Sequence, residues 1–194
     1  MKNPIRSNFG TWRGMTRLAL SYLQLLLMPS VRLSPQDLRQ VRRLVFVCHG
    51  NICRSAVAQQ VARKQKIHSI SVGLSTDTGT ASPVEAIRGA AAIGVDLLVH
   101  RATAWEDYTP IQGDLLLAME FRHVSQIRQR LGKDTPKVRV SLLGLWCRPI
   151  FPHLHDPYTL SARYFEVNFE RVRTAVENLL EQCRRETAAC LHDD

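Results

Sequence analysis

The stretch Val45-Phe46-Val47-Cys48-His49-Gly50-Asn51-Ile52-Cys53-Arg54-Ser55 decides how this chain is read. Leu44 to Val47 is a short, continuous apolar run, the pattern of a strand buried on both faces of a parallel sheet. Ser55 to Lys66 has the spacing of a helix, with Ala56, Val57 and Val61 turned inward. Between them, Gly50 and Asn51 both tolerate a left-handed backbone. A loop that bends this way turns successive N–H groups toward one point, and the helix behind it adds its positive N-terminal end. Arg54 contributes a planar fork that fits two oxygens of a phosphate. Cys48 then sits at the base of an anion cradle that favours its nucleophilic thiolate form. His49 and Ile52 complete the loop. The C-x5-R spacing of Cys48 and Arg54 gains its meaning from this strand–loop–helix setting.

Outward from the loop, strand and helix signals alternate. His68 to Gly73 predicts a second strand and Val84 to Ile93 a second helix closed by Gly94. Leu115 to Met119 predicts a third strand, and Phe121 to Leu131 a helix stopped by Gly132. Val138 to Trp146 contains a fourth strand, and Leu160 to Cys183 is a long final helix. Such alternation implies right-handed crossovers and an α/β fold, a four-stranded parallel sheet with helices on both faces. Ligands in these sheets bind at the carboxyl ends of the strands, where Cys48 falls.

The chain has 194 residues and a formal net charge of +9. Residues 1–47 carry eight basic residues against Asp37 alone, which is +7 of that excess. The remainder is close to neutral, so a nucleic-acid-binding domain is not expected. Five cysteines, an odd number without repeated spacing, argue against a disulfide framework and for a reducing, cytoplasmic setting. We divide the chain into a basic N-terminal extension (1–41), an α/β domain (42–185) and a polar C-terminal tail (186–194).

Arg13 to Met28 in the extension predicts an amphipathic helix. Arg13, Arg17, Ser21 and Gln24 form a narrow polar strip, and leucines dominate the rest. Its apolar run is shorter than the roughly 20 residues that span a bilayer, and Met28-Pro29-Ser30 is a poor signal-cleavage site. Two readings stand: the helix packs on its own domain or on a second copy, or it lies on an anionic membrane surface.

A second motif lies far downstream, His155-Asp156-Pro157-Tyr158. With C-x-G-N-x-C-R-S at Cys48 to Ser55, it makes the chain resemble the low-molecular-weight protein tyrosine phosphatases. The resemblance extends over most of residues 43–183, and residues 1–41 lie outside it. It implies Cys48 as nucleophile, Arg54 as phosphate clamp and Asp156 as general acid, with no metal and no cofactor. Asn51, Ser55, Ser71 and His100 are then a buried polar network that shapes the loop, and Tyr158 is an aromatic wall of the substrate slot. The expected substrate is a phosphotyrosine protein, with a bacterial tyrosine kinase as a candidate partner at the inner membrane face. Phosphoarginine ranks lower, because relatives that act on it carry Thr where this chain has Ile52. By the same resemblance Cys53 pairs reversibly with Cys48. As a residue read on its own, it is equally a small packing group. The chain departs from the family pattern at Ala56, Gln59 and Glu120, where Pro, Glu and Asp are common.

Three other activities compete. Arsenate reduction uses a similar loop but needs further cysteines in relay, and none lies between Cys53 and Cys147. His153-x-His155-Asp156 could serve a metal hydrolase, although no second metal motif accompanies it. A non-catalytic phosphate-binding protein would not need the acid. Cys147, Cys183 and Cys190 receive no role.

Overall fold

Residues Arg43–Cys48 form the first strand, β1, and its alternating side chains define the two sides of the molecule. Leu44, Phe46 and Cys48 point into one core cluster, Val45 and Val47 into the other. This period-2 division is what a strand buried on both faces requires. In the computed structural model, which describes residues 4–132 and 135–190, three further strands join it. These are β2 (Ser69–Gly73), β3 (Asp114–Ala118) and β4 (Arg139–Leu142). All pairings are parallel and the sheet order is β2-β1-β3-β4. Strand β1 is therefore interior, with β2 and β3 on its flanks, and the loop after it opens at the carboxyl edge of the sheet.

Among the described residues, seven α-helices surround the sheet: α1 (Pro4–Phe9), α2 (Trp12–Leu27), α3 (Pro35–Arg39), α4 (Arg54–Lys64), α5 (Val84–Ala91), α6 (Phe121–Arg130) and α7 (Ala162–Cys190). Val57 of α4, Ala86 of α5 and Phe165, Phe169 and Val176 of α7 fill the core on the Phe46 side. Phe121, Val124 and Ile127 of α6 fill the Val47 side, together with Leu25 and Val31 from the N-terminal extension. Helices α2, α4, α5 and α6 fall where the sequence pattern puts them, to within a few residues, whereas the short α1 was not expected. Helix α7 is longer than the pattern suggests. It continues to Cys190 because no Gly or Pro interrupts Arg184 to Ala189, and the segment read as a polar tail is helical up to that point. His192, Asp193 and Asp194 lie outside the described residues.

The extension packs against the domain. Helix α2 buries Gly14, Leu18, Ser21 and Leu25, a stripe at i, i+4, i+7 and i+11. Ser21, which the sequence places on the polar strip, is buried because its hydroxyl donates to the Leu18 carbonyl at 2.6 Å and so loses its need for water. Val31 is fully buried, and its carbonyl accepts from Ser141 Oγ at 2.6 Å. Burial of Leu18, Leu25 and Val31 is worth about 1.5–3 kcal/mol each, against about 0–1 for an exposed ion pair. Apolar contact, and not the basic charge, therefore holds the extension down. Helix α3, which the sequence reading passed over, starts on a capping box: Ser34 Oγ accepts from Asp37 N, and Asp37 Oδ2 accepts from Ser34 N.

Candidate active site

The loop from Cys48 to Arg54 is tied to the neighbouring strand end by Leu74 N, which donates to the Cys48 carbonyl (3.0 Å), and Ser75 N, which donates to that of His49 (2.9 Å). Asn51 takes the left-handed conformation, with φ of 52°. Gly50, expected to share that geometry, does not adopt it, so a single residue makes the reversal. The bend points Asn51 N at Cys48 Sγ, 3.3 Å away. Cys48 itself is nearly inaccessible, at 2% exposure.

The Asn51 side chain organises the turn. Its Nδ2 donates to Ser55 Oγ at 2.8 Å, and Ser55 Oγ lies 2.9 Å from Cys48 Sγ. The serine oxygen accepts from Asn51, and its own proton is placed to reach the sulfur. Asn51 Oδ1 accepts from Thr103 N at 2.8 Å. The Asn51 carbonyl lies 2.7 Å from His100 Nε2. A carbonyl only accepts, so His100 carries its proton on Nε2. Burial lowers its pKa, which keeps the ring neutral.

Three of the four expected network residues are thus joined. Ser71 is the exception. Its hydroxyl lies 2.6 Å from the Gln59 side-chain amide, one helical turn beyond Ser55 on α4, and among the described residues it makes no bond to Asn51, Ser55 or His100. With the Gln59 amide turned so that its nitrogen faces Ser71, its oxygen accepts from Arg63 Nη2 at 2.7 Å. Gln59 therefore captures the serine.

Arg54 is among the largest fully buried side chains. Its Nη1 donates to Glu120 Oε1 at 2.5 Å and to the Leu154 carbonyl at 2.8 Å. Its Nη2 lies 2.6 Å from Asp156 Oδ2. Its Nε is buried with no hydrogen-bond partner among the described residues, a donor free for an oxyanion. Burial alone would lower the Arg54 pKa. The carboxylates of Asp156 and Glu120, and the neighbouring Cys48, more than reverse this and hold the guanidinium charged. Glu120 is equally buried. Burial would raise its pKa, but Arg54, His123, His153 and Arg122 draw it far below the usual carboxylate range.

The third group arrives on the segment before α7. Leu154 N donates to the Met119 carbonyl at 3.0 Å, which pins this segment to the end of β3. Asp156 is 31% exposed, and its Oδ1 accepts from Tyr158 N at 3.2 Å. This local turn, with Pro157 fixing the backbone between, aims the carboxylate at Arg54. Tyr158 is 53% exposed, as are His49 and most of the Ser75 to Thr80 loop in lesser or greater degree. Ile52 is half-buried.

Cys53 is buried at the N-terminal end of α4, and burial pushes its thiol up. Cys48 and Cys53 are both free thiols. Burial also pushes Cys147 up to about 12 and Cys183 up to about 11, so neither is a ready thiolate for a disulfide relay. His153 and His155 face one another, Nε2 to Nδ1, at 3.4 Å. Among the described residues no group of three or more His, Cys, Asp or Glu is placed to hold a metal ion.

The residues of this cluster that sequence reasoning left out are Glu120, Thr103, His153 and His155. Thr103 acts through its backbone, which no sequence signal marks. Glu120 was visible as a substitution beside Met119, but its contact with Arg54 spans 66 residues.

A thiol and a buried arginine at the head of the first strand of a parallel α/β sheet have the arrangement of a cysteine-dependent phosphatase. The family model described as low molecular weight phosphotyrosine protein phosphatase matches residues 43–189. The low molecular weight protein-tyrosine-phosphatase Wzb of Escherichia coli K12 is 31% identical over 153 residues, which cover 77% of this chain and 95% of Wzb. The probable phosphatase EpsP of Ralstonia nicotianae is 27% identical over 140 residues, 71% of this chain and 92% of its own. Among solved structures, Wzb from Escherichia coli K30 in complex with sulphate superposes with a TM-score of 0.61 at 27% identity, over 73% of this chain and 97% of that one. The YwlE arginine phosphatase of Geobacillus stearothermophilus shares the fold, with a TM-score of 0.63 at 22% identity over 76% of this chain and 96% of its own. The chain belongs to the low molecular weight phosphotyrosine protein phosphatase family and is an enzyme of that class.

Proposed function

We propose that this protein hydrolyses phosphotyrosine in proteins through a phosphocysteine intermediate, with Cys48, Arg54 and Asp156 in the catalytic roles. The observation that carries this reading is the state of Arg54. It is fully buried beside the Cys48 loop, it touches Asp156 through Nη2, and its Nε has no partner among the described residues. A phosphate monoester that accepts from Nε and Nη2 competes with Asp156 for Nη2. Displaced from the guanidinium, the carboxyl group is free to turn toward the leaving oxygen, where a general acid must stand.

Cys48 Sγ then attacks phosphorus while the P–O bond to the aryl oxygen breaks, and Asp156 gives that oxygen its proton. Asp156, now a carboxylate, takes a proton from the water that attacks the phosphocysteine. Inorganic phosphate leaves and the thiolate returns, its negative charge met by the Ser55 hydroxyl. The Asn51 N–H and the Arg54 fork stabilise charge on the transferring oxygens in both steps. Ile52 and Tyr158 flank the loop as apolar neighbours for the substrate ring.

Turnover of p-nitrophenyl phosphate and of a panel of phosphotyrosine peptides tests this. Cys48→Ser is expected to be inactive. Asp156→Ala should keep phosphate affinity while losing about 10²–10⁴-fold in turnover. Wild-type rates in Cys48→Ser would end the proposal.

The substrate's location follows from the outer face of α2. Trp12, Leu20, Leu23, Leu26 and Leu27 are 54–73% exposed there, and the exposed Arg13 and Arg17 flank them. This combination suits an anionic membrane surface. We therefore place the enzyme in the cytoplasm, resting on the inner membrane face and acting on a tyrosine-phosphorylated protein there, such as a tyrosine kinase. No helix among the described residues is long and apolar enough to cross a membrane.

A further inference from the structure

The extension that lies outside the family match touches the segment that carries the general acid. Thr11 caps α2: its Oγ1 accepts from Gly14 N at 2.9 Å. The same oxygen lies 3.3 Å from Nε2 of His155, the residue before Asp156. Two glycines make the approach close enough. A Cβ on Gly14 would stand 2.8 Å from the His155 ring, and one on Gly10 would stand 2.7 Å from Leu160 and 2.8 Å from Tyr164. Gly10 also has a φ of +74°, which side chains rarely adopt. On its far side His155 is held by α7, since its carbonyl accepts from Asn168 Nδ2 at 2.9 Å.

The contact continues inward. His155 Nδ1 faces His153 Nε2 at 3.4 Å, and His153 Nδ1 faces Glu120 Oε2 at 3.8 Å. Glu120 is the carboxylate that grips Arg54. At 3.8 Å the His153–Glu120 pair is an electrostatic contact and not a hydrogen bond, and the carboxylate charge favours a ring N–H facing it. His153 turns Nδ1–H toward Glu120 and accepts on Nε2 from His155 Nδ1–H. His155 then accepts on Nε2 from the Thr11 hydroxyl. Both rings are neutral in this arrangement, and burial, which lowers the pKa of both, agrees with it.

We infer that the N-terminal segment around Gly10–Gly14 is a working part of the catalytic apparatus, and that Thr11 and His155 are positioning residues that hold the Asp156 loop over the phosphate cradle. This rests on the assignment of Asp156 as the acid. A loop that is free to drift loses proton delivery before it loses phosphate binding, because the cradle itself is built on β1 and α4. The defect should therefore depend on the leaving group. Phenolate, with a conjugate-acid pKa near 10 like that of tyrosine, needs the proton more than p-nitrophenolate does.

The test is kcat/KM for phenyl phosphate and p-nitrophenyl phosphate, with inhibition by inorganic phosphate as a measure of the cradle. Thr11→Val and His155→Phe should each lower kcat/KM for phenyl phosphate about tenfold and for p-nitrophenyl phosphate less than about threefold, within the 10²–10⁴-fold that general acid catalysis supplies. Phosphate inhibition should be unchanged, and Thr11→Ser should restore the phenyl phosphate rate. Equal losses on both substrates together with weakened phosphate inhibition would overturn the proposal and leave the segment a merely structural support. Rates unchanged on both substrates would also overturn it, while a leaving-group-dependent loss in Asp156→Ala showed that the acid assignment itself survives. If Asp156→Ala loses nothing either, the assignment beneath the proposal is what fails.

Discussion

Glu120→Gln isolates the charge that holds Arg54. Glu120 Oε1 lies 2.5 Å from Arg54 Nη1 and Oε2 lies 2.7 Å from Arg122 Nε, with side-chain exposures of 2% for Glu120 and 1% for Arg54. Removing one partner of a buried ion pair costs about 3–5 kcal/mol. Asp156 and the Leu154 carbonyl remain on Arg54 in the variant, and the new amide keeps one acceptor, so the lower end, about 3 kcal/mol, applies. With a urea m-value of about 2 kcal/mol/M, the unfolding midpoint should fall by roughly 1.5 M. The pH dependence carries the sign. Glu120 has a folded-state pKa below its unfolded one, so its contribution is complete above the ordinary glutamate value of about 4.3 and is lost as pH falls through the folded pKa. The gap between wild type and variant should thus hold steady from about pH 7 to pH 5 and close only in stronger acid. Urea unfolding monitored by tryptophan fluorescence across that range measures it. An unchanged midpoint at neutral pH, or a gap that closes as pH rises, would refute the assignment of Glu120 as the buried counter-charge of Arg54.

Two further outcomes follow from the same geometry. Asn51→Ala removes the bonds to Ser55 and Thr103 and forces a Cβ-bearing residue without a polar side chain into the left-handed region, so stability should fall by about 2–4 kcal/mol. Asn51→Gly should recover the backbone share, roughly 1 kcal/mol, without restoring activity, as urea unfolding and p-nitrophenyl phosphate turnover would show. For the membrane contact, the protein should sediment with vesicles that contain phosphatidylserine and not with neutral phosphatidylcholine vesicles. Leu23→Glu together with Leu26→Glu should abolish this, because both side chains are exposed and the fold does not use them. Equal sedimentation of wild type and the double variant removes the proposed surface.

Local chemistry reached far into this protein. The apolar run at Leu44 to Val47, the turn residue Asn51 and the C-x5-R spacing each act within a few residues of one another. The strand, the loop and the helix behind it were therefore legible from sequence order. The positions of Cys48, Arg54 and Ser55 followed, because a strand end and a helix start fix where their side chains point. Asp156 was legible only through the resemblance of its Asp-Pro-Tyr motif, since nothing local says that residue 156 meets residue 54.

Tertiary structure decided what depends on contacts between distant segments. The stripe Gly14, Leu18, Ser21 and Leu25 faces inward because the second side of the sheet needs a cover there, and hydropathy alone could not tell it from the equally apolar Leu20, Leu23 and Leu27. Ser71 went to Gln59 because the pairing of β1 with β2 sets that serine beside the second turn of α4. Glu120, His153, His155 and Thr11 were brought together from three separate stretches of chain. Sequence sets the chemistry available to each residue. The choice of partner among distant polar groups is made by packing, because burial leaves each donor and acceptor only the neighbours that the folded chain supplies.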